Sequence, residues 1–366
     1  MAKDSDPIKW DYPRHTQVKH ELLEKYLGGW LPILGSWHKK LVIFDGFAGR
    51  GEYVDGSAGS PVILLQKADE LLSAGKVEEV VCAFVERDPN NFENLREVLQ
   101  RIAPLHPSVT VFGPRNEAFE DVVAKIMGDV GNEIAPSFWF IDPFGFTGMS
   151  FSSVQQLMSL KRSEVFITLM LRDIRRFLDH PNLEQTFDRL FGTQEWREIV
   201  ASDATGDAKE QLIRDLYVAQ LRNLGCKVTS FRVCEDEKLA TLYYLIYATN
   251  HCKGRWLMKD VMHSQGANGL FAYLGPQDQY RRLQGTLIPI DTVGELKEQL
   301  LVKLRGRTVT FDALTDESCD DNELRITDYR KALQALRAEV KITVVPVSSK
   351  TDRGLMGKDR ISFPGD

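Results

Sequence analysis

The segment Leu41-Val42-Ile43-Phe44-Asp45-Gly46-Phe47-Ala48-Gly49-Arg50-Gly51 constrains the fold most: an apolar run broken by an acid and then by glycines. A run that is apolar at every position suits a strand buried on both faces, as in a parallel sheet covered by helices. The same texture returns along the chain. SPVILLQKADELL reads as a helix, VVCAFVERD as a strand, NNFENLREVLQRI as a helix and VTVFG as a strand. NEAFEDVVAKIM then reads as a helix, SFWFIDPFG as a strand, SFSSVQQLMSL as a helix and EVFITLML as a strand. Strands alternating with amphipathic helices predict a doubly wound α/β sheet, with ligands gathered at the carboxyl ends of the strands. The order of the strands does not follow from this pattern.

Ahead of the first strand, HTQVKHELLEKYLGGWLPIL predicts a helix, with Val18, Leu22, Leu23 and Tyr26 at helical spacing. Gly28-Gly29 is expected to interrupt or end it. Residues from about Arg172 to Leu224 abandon the alternation for consecutive helices, a helical insertion. KVTSFRVC and TLYYLIYAT, separated by EDEK, predict a hairpin at the end of the sheet, and GRWLMKDVMHS a further helix. Past about Pro289 the order becomes helix (VGELKEQLLVKL), short strand and turn (RTVTFDAL), helix (ITDYRKALQALRAE, N-capped by Thr327 or Asp328) and two strands around a basic loop. That is a small α+β winged-helix layout. The expected division is therefore 1–288 and 289–366, in keeping with a length of 366 residues and about 150 residues per domain.

Charge and cysteine usage narrow the function. A net charge of -6, from 46 Lys+Arg against 52 Asp+Glu, excludes a uniformly positive coat but not a local basic patch. Cys82, Cys226, Cys234, Cys252 and Cys319 are scattered without a CxxC pair, which argues against a zinc site and against a disulfide framework. His251 beside Cys252 is a weak metal signal, and no metal is expected. No apolar run is long enough to span a bilayer, and MAKDSDPIKWDYPRH lacks the apolar core of a signal peptide, so a cytoplasmic location is expected.

Three strand ends carry the chemistry. Asp45-Gly46-Phe47-Ala48-Gly49-Arg50-Gly51 does not have the spacing of the GxGxxG dinucleotide fingerprint. It matches D-x-F-x-G-x-G and resembles the first motif of S-adenosylmethionine-dependent methyltransferases acting on nucleic acids. The resemblance implies that Asp45 meets the ammonium of the methionine end, and that Phe47, Ala48, Gly49 and Gly51 border the cofactor. Glu86, in FVERD after the second strand, is placed to accept both hydroxyls of a ribose diol, since its two oxygens match two neighbouring O–H groups. Asn116, after the third strand, either meets the adenine edge or caps the helix that follows. Ile141-Asp142-Pro143-Phe144-Gly145-Phe146 resembles the D-P-P-[YFW] motif of amino-methyltransferases, with Phe144 in place of the second proline. By that resemblance Asp142 holds the target amine, and Phe144 or Phe146 offers a face to a flipped base. Arg172, Arg175 and Arg176, after the fifth strand, are candidates for phosphate contact. His15 and Lys19, one helical turn apart ahead of the sheet, could reach the cofactor mouth, but read better as a surface pair.

HTQVKHELLEKYL, DGFAGRGEYVDGSAGSP, FVERD, IDPFGFTGMS and YYLIYATNHCKGRWLMKDVM together resemble the three-Cys-motif partner protein (TcmP) family. The resemblance implies a bacterial or phage-linked Rossmann-like class I methyltransferase fold with a winged-helix-like domain after it. It also implies S-adenosylmethionine as cofactor, and a separately encoded partner enzyme of radical type that carries the cysteine motif. Two functions remain open at this point. One is methyl transfer to an amine or base of a nucleic acid. The other is an adaptor that binds the cofactor, recruits the partner and reads DNA. The segment 341–360, with Lys350, Arg353 and Lys358 among its basic residues and a net +3, is the candidate backbone contact of a wing. Its competitor is a surface that grips the partner protein.

Overall fold

The computed structural model describes residues 12–75, 77–130, 134–235, 240–266, 271–275, 292–347, 355 and 357–365. The chain forms two compact units, 1–283 and 284–366.

In the N-terminal unit the order is α1 (Arg14–Gly35), β1 (Lys40–Asp45), α2 (Ser60–Ser73), β2 (Glu79–Val85), α3 (Pro89–Ile102), β3 (Thr110–Arg115), α4 (Phe119–Val130), β4 (Ser137–Ile141), α5 (Phe151–Ser159) and β5 (Ser163–Leu169). The helical insertion follows as α6 (Leu171–Phe177), α7 (Glu184–Phe191), α8 (Trp196–Ala201) and α9 (Gly206–Asn223). The unit continues with β6 (Lys227–Cys234), β7 (Thr241–Thr249), α10 (Cys252–Gln265) and β8 (Ala272–Tyr273).

These strands make one eight-stranded mixed sheet in the order β3-β2-β1-β4-β5-β7-β6-β8. The expected hairpin forms, but β7 inserts between β5 and β6, antiparallel to both, and β8 pairs with β6 at the edge. Side chains alternate along each strand between two apolar layers. Ile43, Phe138, Phe140 and Phe166 join α1, α2, α3 and α10 on one face. Phe44, Trp139, Ile141, Val165 and Ile167 join α4 to α9 on the other. Burial on both faces is why these strands read as unbroken apolar runs.

The helix α1 does not stop at Gly28-Gly29; it runs 22 residues to Gly35, through Pro32. A Cβ on Gly29 would lie 2.7 Å from Leu257 Cδ1 of α10, so the glycine there serves close helix packing rather than termination. Among the described residues no helix is long and apolar enough to cross a membrane.

The C-terminal unit comprises α11 (Thr292–Lys303), β9 (Thr308–Thr310), α12 (Phe311–Glu317), α13 (Ile326–Ala338), β10 (Thr343–Val345) and β11 (Arg360–Ser362). Its antiparallel sheet has the order β10-β11-β9. Leu296, Leu300, Phe311, Leu314, Tyr329, Leu333, Leu336 and Ile361 are buried there. Where the sequence suggests a turn after RTVTF, the chain makes the short helix α12, N-capped by Thr310. The cap of α13 is Arg325, not Thr327 or Asp328; Asp328, three residues on, accepts the Arg325 N–H at 3.0 Å.

Candidate active site

The sheet order reverses on either side of β1, where β2 and β4 flank it and continue in opposite directions. A crevice opens at such a switch point, outside the carboxyl ends of the strands. Here it is a cavity of about 800 Å3, lined by the loop after β1, the ends of β2 and β4, and the first turns of α1. The loop is suspended between its neighbours: Gly46 donates to Phe140 O at 2.9 Å and Ala48 to Val85 O at 2.9 Å. Gly49 and Gly51 have positive φ, 61° and 85°. Gly59 donates to Gly51 O at 2.9 Å, and a Cβ on Gly59 would lie 2.6 Å from that oxygen. The Gly-Ser-Pro at 59–61 thus closes the loop by a backbone contact that no side chain permits.

Asp45 is fully buried at the end of β1, and Gly46 and Phe47, which follow it, line the cavity. Its Oδ1 accepts the Phe47 N–H at 3.2 Å, whereas its buried Oδ2 has no hydrogen-bond partner among the described residues. Burial pushes its pKa up to about 7; the Ser60 hydroxyl and the Phe47 N–H, hydrogen-bonding to the carboxyl, oppose the rise, and the Asp142 and Glu86 carboxylates add to it. An orphaned buried carboxylate oxygen fits a cationic group better than any neutral one.

Glu86 holds the next corner. Its Oε2 accepts Gly49 N–H at 2.9 Å and its Oε1 accepts Asp88 N–H at 2.7 Å, so the carboxylate ties the glycine loop to the end of β2. Each carboxylate oxygen keeps a second lone pair for a ligand hydroxyl. Partial burial raises its pKa against the pull of these two N–H groups. Phe47 lines the cavity with its ring against Phe119, 5.3 Å between centroids, and Ala48 is buried in the loop. Asn116 neither lines the cavity nor caps α4. Its amide donates to Glu86 O and Arg87 O, both at 2.9 Å, and so fixes the backbone behind Glu86.

Asp142 and Phe144 also line the cavity; Phe144 is 84% exposed. Asp142 is not alone. Lys19, expected on the surface, is 8% exposed and forms an ion pair with Asp142 Oδ2. The signal was present in the sequence, because Lys19 shares the stripe of Leu22, Leu23 and Tyr26 at i+3, i+4 and i+7. His15 lines the same wall, and Tyr243 of β7 donates its hydroxyl to His15 O at 2.6 Å. His20 is buried beside the pair, and burial, then Lys19, lowers its pKa to about 3, so it is neutral. Tyr53 also lines the cavity; it, Tyr243 and His20 fall inside the segments that carry the family resemblance, but nothing in their spacing singled them out as site residues.

Of the candidate substrate residues, Arg172 reaches the cavity. Phe146 does not line it; its ring stacks on Phe187 at 5.1 Å and meets Phe177 at 5.8 Å, packing the helical insertion. Arg175 is ion-paired with the buried Glu210, and Arg176 lies over the Phe177 ring at 5.1 Å. None of these three lines the cavity: the insertion supplies their partners. Lys358 is exposed in the C-terminal unit, and Lys350 and Arg353 lie outside the described residues. His251 caps α10 through its own ring nitrogen, accepting Lys253 N–H at 3.1 Å.

No protein-family model and no curated protein sequence matches the chain. Several solved structures resemble it remotely. The DszA carbon methyltransferase is 16% identical, with 65% of this chain and 55% of that chain covered and a TM-score of 0.39. The N-terminal domain of human METTL16 in complex with SAH is 13% identical over 68% of this chain and 75% of that one, with a TM-score of 0.34. Magnesium protoporphyrin IX methyltransferase from Synechocystis PCC 6803, with bound SAH, is 10% identical over 68% and 89%, with a TM-score of 0.31.

Proposed function

We propose that the N-terminal unit binds S-adenosylmethionine and transfers its methyl group to a base of a nucleic acid, acting beside a separately encoded partner enzyme. One observation carries this reading: Glu86 and Asp142 line a single cavity beyond the ends of β2 and β4, and Asp45, with a buried oxygen that lacks a hydrogen-bond partner among the described residues, ends β1 directly behind the cavity-lining Gly46 and Phe47. The residues fit the cofactor. Asp45 would hold the ammonium, Glu86 the ribose hydroxyls, and the glycine loop would let the backbone approach.

When bound, S-adenosylmethionine supplies a methyl group already activated on a sulfonium. The chain's own task is then to align an acceptor and exclude water. Asp142, at the cavity wall, orients the acceptor and takes up a proton. Phe144, largely exposed at the same cavity, offers a stacking face to a base, and Arg172 a phosphate contact. Because Asp142 lines an open cavity and Phe144 stands exposed, the arrangement favours chemistry over a non-catalytic adaptor.

The C-terminal unit runs helix, strand, helix, helix, strand, strand, with a three-stranded antiparallel sheet. This order supports a winged-helix-like module that contacts DNA or the partner.

The deciding experiment incubates the protein with tritiated S-adenosylmethionine and a panel of DNA and RNA, with and without the partner. Asp142→Ala should abolish transfer while retaining most cofactor affinity. Wild-type transfer by that variant would overturn the acceptor assignment. No calorimetric heat with S-adenosylmethionine or S-adenosylhomocysteine would overturn the cofactor.

A further inference from the structure

At the acceptor end of the cavity stands a charge pair, not a lone carboxylate. Lys19 comes from the second turn of α1 and Asp142 from the end of β4, and both line the cavity. Lys19 is nine-tenths buried, with its Nζ 5.7 Å from the centroid of the Tyr243 ring. Asp142 is its hydrogen-bond partner among the described residues. An ammonium has three N–H donors, and a carboxylate has a second oxygen. The pair therefore presents donors and an acceptor side by side.

We propose that Lys19 and Asp142 together select an acceptor whose reacting nitrogen bears a hydrogen next to a carbonyl, a lactam or imide edge such as uracil or hypoxanthine carries. This rests on the methyl-transfer reading above and narrows its substrate class from bases in general. The complementarity is direct, with the acceptor's N–H to Asp142 and its carbonyl oxygen to Lys19.

Electronic demand separates this edge from an amino group. When a lactam nitrogen loses its proton to Asp142, negative charge spreads onto the adjacent oxygen, where the Lys19 ammonium stabilises it. The nitrogen's electron pair then forms the new N–C bond to the methyl carbon. The bond from that carbon to sulfur breaks with its pair left on sulfur, so the sulfonium becomes a neutral thioether. Asp142 afterwards releases the proton to water. An exocyclic amine beside a ring nitrogen gains nothing comparable. There, donation by Lys19 to the ring nitrogen would draw electron density away from the attacking lone pair.

The test uses the full chain, its Lys19→Met and Lys19→Arg variants, tritiated S-adenosylmethionine, and poly(U), poly(I), poly(A) and poly(C). Transfer is expected to poly(U) or poly(I) and not to poly(A) or poly(C). Lys19→Met should lower kcat by roughly 100-fold or more, the loss typical of removing one donor from a developing oxyanion. Lys19→Arg, which keeps a charged donor, should recover part of that loss. A binding readout accompanies the kinetics. Calorimetric titration of the S-adenosylhomocysteine-saturated protein with hexauridylate and hexaadenylate should show a preference for the uridylate that shrinks in Lys19→Met. Affinity for S-adenosylhomocysteine, unchanged in both variants, shows that the fold and cofactor site survive. Transfer to the amino polymers, a Lys19→Met rate equal to wild type, or no transfer to any polymer by a protein that binds S-adenosylhomocysteine would each overturn the proposal. Failure of the wild type to bind S-adenosylhomocysteine would overturn the underlying reading first.

Discussion

Replacing Asp45 by Asn should stabilise the ligand-free protein and weaken its hold on the cofactor, both in a pH-dependent way. Burial places the Asp45 pKa at about 7, against an ordinary 3.8. Between those values the folded chain holds a proton that the unfolded chain has released, so stability falls as pH rises. The full cost is present above about 7, and the difference between the two pKa values corresponds to about 4 kcal/mol. Asp45→Asn removes the ionisation, so its advantage over wild type should be small near pH 4 and grow toward pH 8. Cofactor affinity should move the other way. The α-ammonium of S-adenosylhomocysteine binds the ionised carboxylate, whose ionised fraction in the free protein rises roughly 25-fold between about pH 5.5 and 7.5. With the ion pair holding the bound carboxylate ionised throughout, that is about 2 kcal/mol of binding. Thermal unfolding and calorimetric titration across this range read both effects. A difference in stability between variant and wild type that does not change with pH would refute the ionisable, orphaned Asp45. Equal pH slopes for cofactor binding in the two proteins would separate Asp45 from the ammonium.

Two further outcomes are expected. Glu86→Ala removes the acceptor of Gly49 and Asp88 N–H as well as the ribose partner, so calorimetry should show cofactor affinity lowered about tenfold or more; an unchanged affinity would rule out the ribose role. If the C-terminal unit grips DNA through the segment 341–360, duplex affinity measured from roughly 50 to 200 mM salt should have a negative slope that shrinks when Lys350, Arg353 and Lys358 are replaced by Ala. A slope indifferent to the triple substitution would leave the partner protein as the target of that surface.

The sequence by itself determined where the sheet strands lie and which acids end them. Runs such as Leu41–Phe44 and Phe138–Ile141 are apolar throughout because both faces of those strands are covered, and the acid or glycine that follows marks a carboxyl end. Asp45, Glu86 and Asp142 were legible for that reason. Tertiary structure alone decided what each of them meets. Periodicity reports that a face is buried, not what buries it, so β7 entering between β5 and β6 is invisible in the chain. Side chains far apart in sequence pair only once the sheet has assembled. Lys19 and Asp142, separated by 123 positions, become an ion pair, and Arg175 turns away to Glu210. Phe146 illustrates the same limit: next to the expected acceptor site in sequence, it is taken up by Phe187 because apolar contact area outweighs proximity along the chain.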